Sequence, residues 1–187
     1  MKSERIICSG FGGQGVMSLG QILAYSGLLE NNEVSWLPSY GPEMRGGTAN
    51  CSVTISKEKI ASPIIDRATV VIVMNNPSLK KFEEYVSEGG ILLINSSLVK
   101  EKPRRKDIRI YQIPASELAV EMCKNPKVAN MIMLGAYLKI SRILEVESIL
   151  KGFLKVFGEG KANLLPLNKT ALEIGRDYID EGDYLII

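Results

Sequence analysis

Two unbroken apolar runs constrain the architecture most. Ala68-Thr69-Val70-Val71-Ile72-Val73-Met74 and Ile91-Leu92-Leu93-Ile94-Asn95 are short and aliphatic, and they lack the alternation of a strand with one wet face. Strands of that kind are buried on both faces, as in a sheet with helices on either side. Between the runs, Asn76 reads as a helix cap with Pro77 at the first helical position. Leu79, Phe82 and Val86 then form an inward stripe, and Gly89-Gly90 reads as the helix stop. Strand, helix and strand in that order make a parallel crossover. Further strands are predicted over residues 5–9, 34–37, 51–56 and 108–113, and residues 51–56 alternate apolar and polar. The chain therefore reads as an α/β protein, a three-layer α/β/α Rossmann-like domain with a mostly parallel or mixed sheet. Its 187 residues contain no internal repeat and no linker, so residues 1–187 are read as one domain.

The first strand runs into Gly10-Phe11-Gly12-Gly13-Gln14-Gly15, and helical periodicity begins at Val16. Gly10, Gly12 and Gly15 fit the G-x-G-x-x-G spacing, in which bare amides at a helix N-terminus suit an anion. A dinucleotide site would also place an acid at the end of the second strand, to accept hydrogen bonds from a ribose. Here that strand runs into Pro38-Ser39-Tyr40, and Glu30 and Glu33 precede it, at the wrong end. The turn reads either as a phosphate-sized anion cradle or as a close-packed turn. Residues 39–50 form a second glycine-rich loop. Within it Arg45 is flanked by Gly46 and preceded by Glu43, so its guanidinium either grips a phosphate or carboxylate or pairs with Glu43 to pin the loop.

Composition removes several functions. The chain has no histidine, which excludes His-based triads and His-ligated zinc, and no catalytic residue or metal ligand is assigned. Its three cysteines, Cys8, Cys51 and Cys123, are too far apart for a Cys-x-x-Cys cluster and read as buried reduced thiols. A net charge of +2 gives no reason to expect nucleic acid. The N-terminus lacks the apolar stretch of a signal peptide and the longest apolar runs are far short of a span, so no membrane and a cytoplasmic location are expected.

The rest of the chain yields structural readings. Asn75 and Asn95 fall at strand ends, where each either contacts a ligand or bonds the local backbone. Residues 100–107 read as a solvated basic connection. From Ala115 onward the pattern is helical, carrying Leu118, Val120 and Met122, then Val128 to Ile140, then Ile149 to Phe157. Asn130 and Gly135 read there as packing residues, and Asn168 as a cap for the last helix. The apolar terminus Tyr184-Leu185-Ile186-Ile187 reads as a cover for a subunit face or an addition to the sheet.

GFGGQG at 10–15, LPSYGPEMRGGTANC at 37–51, SPI at 62–64, MNNPS at 74–78 and the AN-M-LGA stretch at 129–136 together resemble the gamma subunit of 2-oxoacid:ferredoxin oxidoreductases. The second of these is far more specific than the first, and the resemblance covers nearly the whole chain. GFGGQG with YGPEMRGG is more like the 2-oxoglutarate and broader 2-ketoacid types than the pyruvate type. The resemblance implies a complex that oxidatively decarboxylates a 2-oxoacid to its acyl-CoA while reducing ferredoxin. It implies alpha, beta and ferredoxin-like delta subunits as partners. Thiamine diphosphate, Mg²⁺ and iron–sulfur clusters would sit mainly on those partners, with none on this chain alone. On this reading Gly10, Gly12, Gly13, Gln14, Gly15, Tyr40, Glu43, Arg45 and Gly46 form the cofactor-binding set. The amides of Gly12, Gly13 and Gln14, with Arg45, would stabilise anionic groups of coenzyme A or order the active-site approach. Two rival readings stand beside it: a free-standing Rossmann-type nucleotide-binding protein, and a non-catalytic scaffold.

Overall fold

The computed structural model describes residues 3–39 and 48–180. Six strands form one sheet in the order β2-β3-β1-β4-β5-β6. They are β1 Glu4–Phe11, β2 Glu33–Ser39, β3 Thr48–Ser56, β4 Ala68–Val73, β5 Val86–Asn95 and β6 Arg109–Ile113. β1 pairs parallel with β4, β4 with β5 and β5 with β6, whereas β3 runs antiparallel to both β1 and β2. The sheet is therefore mixed. β3 returns from β2 and enters between β2 and β1, so the second strand in sequence is not the spatial neighbour of the first.

The two continuous apolar runs became β4 and β5, and both are buried on both faces. Val70, Ile72, Ile91 and Leu93 point into one core, and Val71, Val73, Leu92 and Ile94 into the other. The first core is covered by α1 Val16–Leu29, α3 Ala115–Glu121, α4 Ala129–Ser141, α5 Val146–Phe157 and α6 Leu165–Tyr178. The second lies under α2 Asn76–Phe82 and the irregular stretches around Ile65, Val99 and Ile108. Three layers result, with the helices distributed unequally.

Several local expectations are corrected. The cap of α2 is Asn75, whose side chain accepts from Ser78 N–H at 2.9 Å. Asn76 already lies in the helix, and its Oδ1 instead accepts from Lys100 N–H at 2.9 Å and Glu101 N–H at 3.2 Å. Val86 is buried beside Leu79 and Phe82, but it opens β5 rather than closing the helix. Gly89-Gly90 therefore does not stop α2. The pair lies inside β5 where its register with β4 shifts, Gly89 takes φ +69°, and its N–H donates to Asp107 O at 2.8 Å. Val120 and Met122 are exposed, and α3 turns Ala115 and Ala119 inward instead. Asn168 is buried within α6 and donates to Leu164 O at 2.8 Å, so it is not the cap.

The basic connection is also held rather than simply solvated. The Glu83 carboxylate accepts from the N–H groups of Arg104 and Arg105, and Arg105 Nη1 donates to Val86 O at 2.9 Å. Its guanidinium grips Asp107 and keeps that carboxyl below the usual range. The apolar terminus after residue 180 lies outside the described residues.

At the amino edge of β1, the Glu4 carboxylate accepts from Thr69 Oγ1 at 2.9 Å and from the fully buried Tyr137 hydroxyl at 3.4 Å. Burial raises the Glu4 pKa against these bonds, and burial and Glu4 together push Tyr137 well above its ordinary value. A carboxyl with a raised folded-state pKa stabilises the fold at low pH, and that contribution fades as pH climbs through the folded pKa. Glu4→Gln keeps an acceptor for Thr69 and removes the ionisation. Its stability relative to the parent is expected to rise between acidic and neutral pH in urea titrations, and a constant difference would contradict this account.

Small residues let the outer helices close on the inner ones. A Cβ at Gly135 would overlap the Leu172 carbonyl, and one at Gly175 the Ile132 carbonyl, so α4 and α6 meet backbone to backbone. Gly175→Ala is expected to cost at least the ~1–3 kcal/mol typical of overpacking, because backbone cannot swing aside as a side chain can. Gly160→Ala, with open space around the position, should leave the urea midpoint unchanged.

Candidate functional site at the carboxyl edge of β1

After β1 the chain must turn sharply to send α1 back along the sheet. Gln14 N–H donates to Phe11 O at 3.2 Å and closes that turn. The Gln14 side chain then holds it: Oε1 accepts from Phe11 N–H at 2.6 Å and from Asn75 Nδ2 at 3.4 Å, while Nε2 donates to Met74 O at 3.2 Å. Gln14 therefore ties the turn to the end of β4, and both its amide and its side chain are engaged inside the protein. It is a brace for the turn.

The glycines divide by environment. A Cβ at Gly10 would strike Gln14 Oε1 and Met74 Cβ, so Gly10 serves close packing. Gly15 takes φ +74°, and a side chain there would also strike Asn130. Gly13 takes φ +91° but faces open space, as does Gly12. Both are exposed, and among the described residues their N–H groups have no acceptor. They stand at the start of a 14-residue helix with no acid in its first turn, where the partial positive charge of the helix end adds to the bare amides. No side chain of the turn is an acid, a base or a nucleophile, so the turn can bind and cannot react. Its position also suits binding: the chain runs to one side of β1 through α1 and to the other through β4 and α2. Crevices at such switch points lie outside the carboxyl ends of the strands.

Asn130, read from the sequence as a packing residue, proves to brace the turn. It stands at the start of α4, is buried, and donates from Nδ2 to Gly15 O at 3.2 Å, joining positions 115 residues apart. Beside it, a cleft of about 410 Å³ between α1, α4, α5 and α6 is lined by Ile22, Met131, Phe153 and Phe157. The only sequence signal was a polar residue on an otherwise apolar helix. Asn75 and Asn95 are local braces: Asn75 caps α2, and Asn95 Nδ2 donates to Ser116 Oγ at 2.9 Å.

Tyr40, Glu43, Arg45 and Gly46 lie outside the described residues. The flanks of their segment are fixed, however. Phe11 pairs with Thr48 and Gly10 with Ala49 across β1 and β3, and Ser39 pairs with Asn50 across β2 and β3. Ser39 and Thr48, the described residues on either side of 40–47, therefore both stand at the edge that carries the glycine turn. The same register weakens the dinucleotide reading further. With β3 interposed, the end of β2 lies two strand spacings, about 10 Å, from β1.

Residues 5–178 match the family model described as pyruvate ferredoxin/flavodoxin oxidoreductase. The chain belongs to this family. It is 36% identical over 177 residues to the ketoisovalerate oxidoreductase subunit VorA of Methanothermobacter marburgensis, covering 95% of this chain but only 37% of that relative's length. It is equally 36% identical to the 2-oxoglutarate synthase subunit KorC of Methanocaldococcus jannaschii, covering 89% of this chain and 91% of the relative. Among solved structures it resembles the gamma subunit of a keto/oxoacid ferredoxin oxidoreductase from Geobacter sulfurreducens, with a TM-score of 0.80 at 26% identity, covering 93% and 96% of the two chains. Family membership and the α/β fold thus agree with the resemblance read from the motifs. Among the described residues no helix is long and apolar enough to cross a membrane.

The two kinds of glycine in the turn are separable by substitution. Gly15→Ala forces a side chain into the left-handed region and into Asn130, and should cost about 1–2 kcal/mol from the backbone alone. Gly12→Ala should leave the unfolding free energy from urea titration within about 0.5 kcal/mol of the parent, as expected for surface substitutions. Equal losses at both positions would mean that the turn is packed throughout and has no open side.

Proposed function

We propose that this chain is the gamma subunit of a multi-subunit 2-oxoacid:ferredoxin oxidoreductase of the EC 1.2.7 type, acting as one domain in the cytoplasm. The family match over residues 5–178 carries the proposal. In such an enzyme a 2-oxoacid is oxidatively decarboxylated, the acyl group passes to coenzyme A, and the electrons pass to ferredoxin. Alpha, beta and ferredoxin-like delta subunits would be its partners. Thiamine diphosphate, Mg²⁺ and iron–sulfur clusters would supply the reactive chemistry from those subunits.

The role of this chain is to position and neutralise. The exposed amides of Gly12 and Gly13 at the start of α1 suit a phosphate-sized anion, and coenzyme A offers several. Arg45 would add a forked cation from the segment rooted beside the turn. Tyr40, Glu43 and Gly46 would shape that segment, with Glu43 orienting Arg45. This assignment differs from the sequence reading in giving Gly10, Gln14 and Gly15 structural duties, because their atoms are committed inside the protein. As to the 2-oxoacid, motif spelling favours 2-oxoglutarate. The relatives do not choose, since a ketoisovalerate and a 2-oxoglutarate subunit are equally identical to this chain.

The test uses the native complex, purified with its companion subunits, in which Gly12→Ala and Arg45→Ala are introduced separately. Each is expected to raise the KM for coenzyme A several-fold while leaving the KM for the 2-oxoacid and the subunit composition unchanged. Lost assembly with normal kinetics in any complex that forms would favour the scaffold reading. Oxidation of a 2-oxoacid by the isolated chain, or its tight binding of NAD or FAD, would favour the free-standing reading.

A further inference from the structure

Cys8 and Cys51, 43 positions apart in sequence, are direct register partners across β1 and β3. Both point into the core under α1, both are buried, and both are free thiols. Directly opposed residues of an antiparallel pair have Cα atoms about 4.5 or 5.5 Å apart, depending on register. Either value falls within the span of about 4.4–6.8 Å that disulfides occupy. The pair sits two residues before Gly10 and three after Thr48, just below the candidate site.

The surroundings favour Cys51 as the reactive sulfur. Its Sγ donates to Val16 O at 3.4 Å in the first turn of α1, a bond that favours the protonated thiol and is set against the donors around the sulfur. Where a Cβ on Gly20 would stand, it would run into both Cys51 Sγ and Trp36 Nε1, so the indole N–H and the sulfur crowd the same point. That N–H is buried and, among the described residues, has no hydrogen-bond partner of its own, and a sulfur anion would satisfy it. The neighbouring Cys51 sulfur and burial push the Cys8 thiol up, whereas Cys8 and Trp36 hold Cys51 down against its own burial.

We propose that Cys8 and Cys51 are a reversible thiol–disulfide site, closed by a peroxide, that clamps β1 to β3 beneath the glycine turn. Because both thiols are buried, the oxidant must be as small as hydrogen peroxide. The Cys51 thiolate attacks one peroxide oxygen, the O–O bond breaks, and Cys51 becomes a sulfenic acid while hydroxide takes up the released proton as water. Cys8 sulfur then attacks the Cys51 sulfur, forming the S–S bond and expelling a second water with the Cys8 proton. Two thiols are oxidised and one peroxide is reduced to two waters. A dithiol reductant reverses the step by exchange once local opening of the β1–β3 edge exposes the bridge. Closure removes the Cys51 hydrogen from Val16 O and fixes the strands that carry the turn and the end of the second loop.

The experiment treats the folded protein, in its native complex and as the full chain alone, with hydrogen peroxide, then alkylates, digests and maps the peptides by mass. The expected result is a Cys8–Cys51 linked peptide pair, two hydrogens lighter than its parts, that dithiothreitol separates. Cys123→Ser should retain the link, and Cys8→Ser should leave a sulfenic acid on Cys51 that dimedone captures when it is present as the protein is unfolded. Unlinked Cys8 and Cys51 peptides after Cys123 has been oxidised would overturn the proposal. So would a link that forms only after denaturation, or passage of Cys51 directly to sulfinic acid. Because the wild type and Cys123→Ser decide between these outcomes, failure of Cys8→Ser to fold leaves the test intact.

Discussion

The antiparallel pairing of β1 with β3 is the constraint on which the functional surface depends. Eight consecutive register pairs, from Glu4 with Ile55 to Phe11 with Thr48, hold two segments that are distant in sequence. Because the pleat has a period of two, a one-residue slip would turn every apolar residue of β3 away from the core under α1. Cys51, Val53 and Ile55 have no other place to be buried. The hydrophobic register thus fixes, as a by-product, that the glycine turn shares one edge with Ser39 and Thr48.

On that edge binding and structure are divided between neighbouring residues. Gln14 spends its amide and its carboxamide on Phe11 and Met74, and Asn130 reaches from α4 to the Gly15 carbonyl. The braces leave Gly12 and Gly13 standing open between them. A rigid turn with exposed amides meets an anion without first having to be ordered, which is the energetic advantage of preorganisation. The chain also has no histidine, so the turn has no imidazole to move a proton.

Some of the site was legible because its causes are local. G-x-G-x-x-G after an apolar run and before a helical one specifies a turn whatever surrounds it, and β4 and β5 announced their double burial by lacking a polar face. Other features misled for equally local reasons. Gly89-Gly90 looks like a helix stop when read beside Phe82, yet in the sheet it accommodates a register shift against β4. Val120 and Met122 are apolar but exposed, because α3 presents its alanines to the core. Asn130 carried no signal beyond being polar among apolar neighbours, since its partner lies in another part of the chain.

By itself, the sequence determined the alternation of buried strands and helices, the glycine turn, the family, and the want of a reactive group in the turn. These follow from periodicity, from backbone freedom at glycine and from residue identity, which no packing can alter. Only the tertiary structure decided that β3 enters between β1 and β2, that Gln14 faces inward while Gly12 and Gly13 do not, and that Cys8 meets Cys51. Each of these is a pairing between distant positions, and it is selected by the burial of whole faces against one another rather than by any preference along the chain.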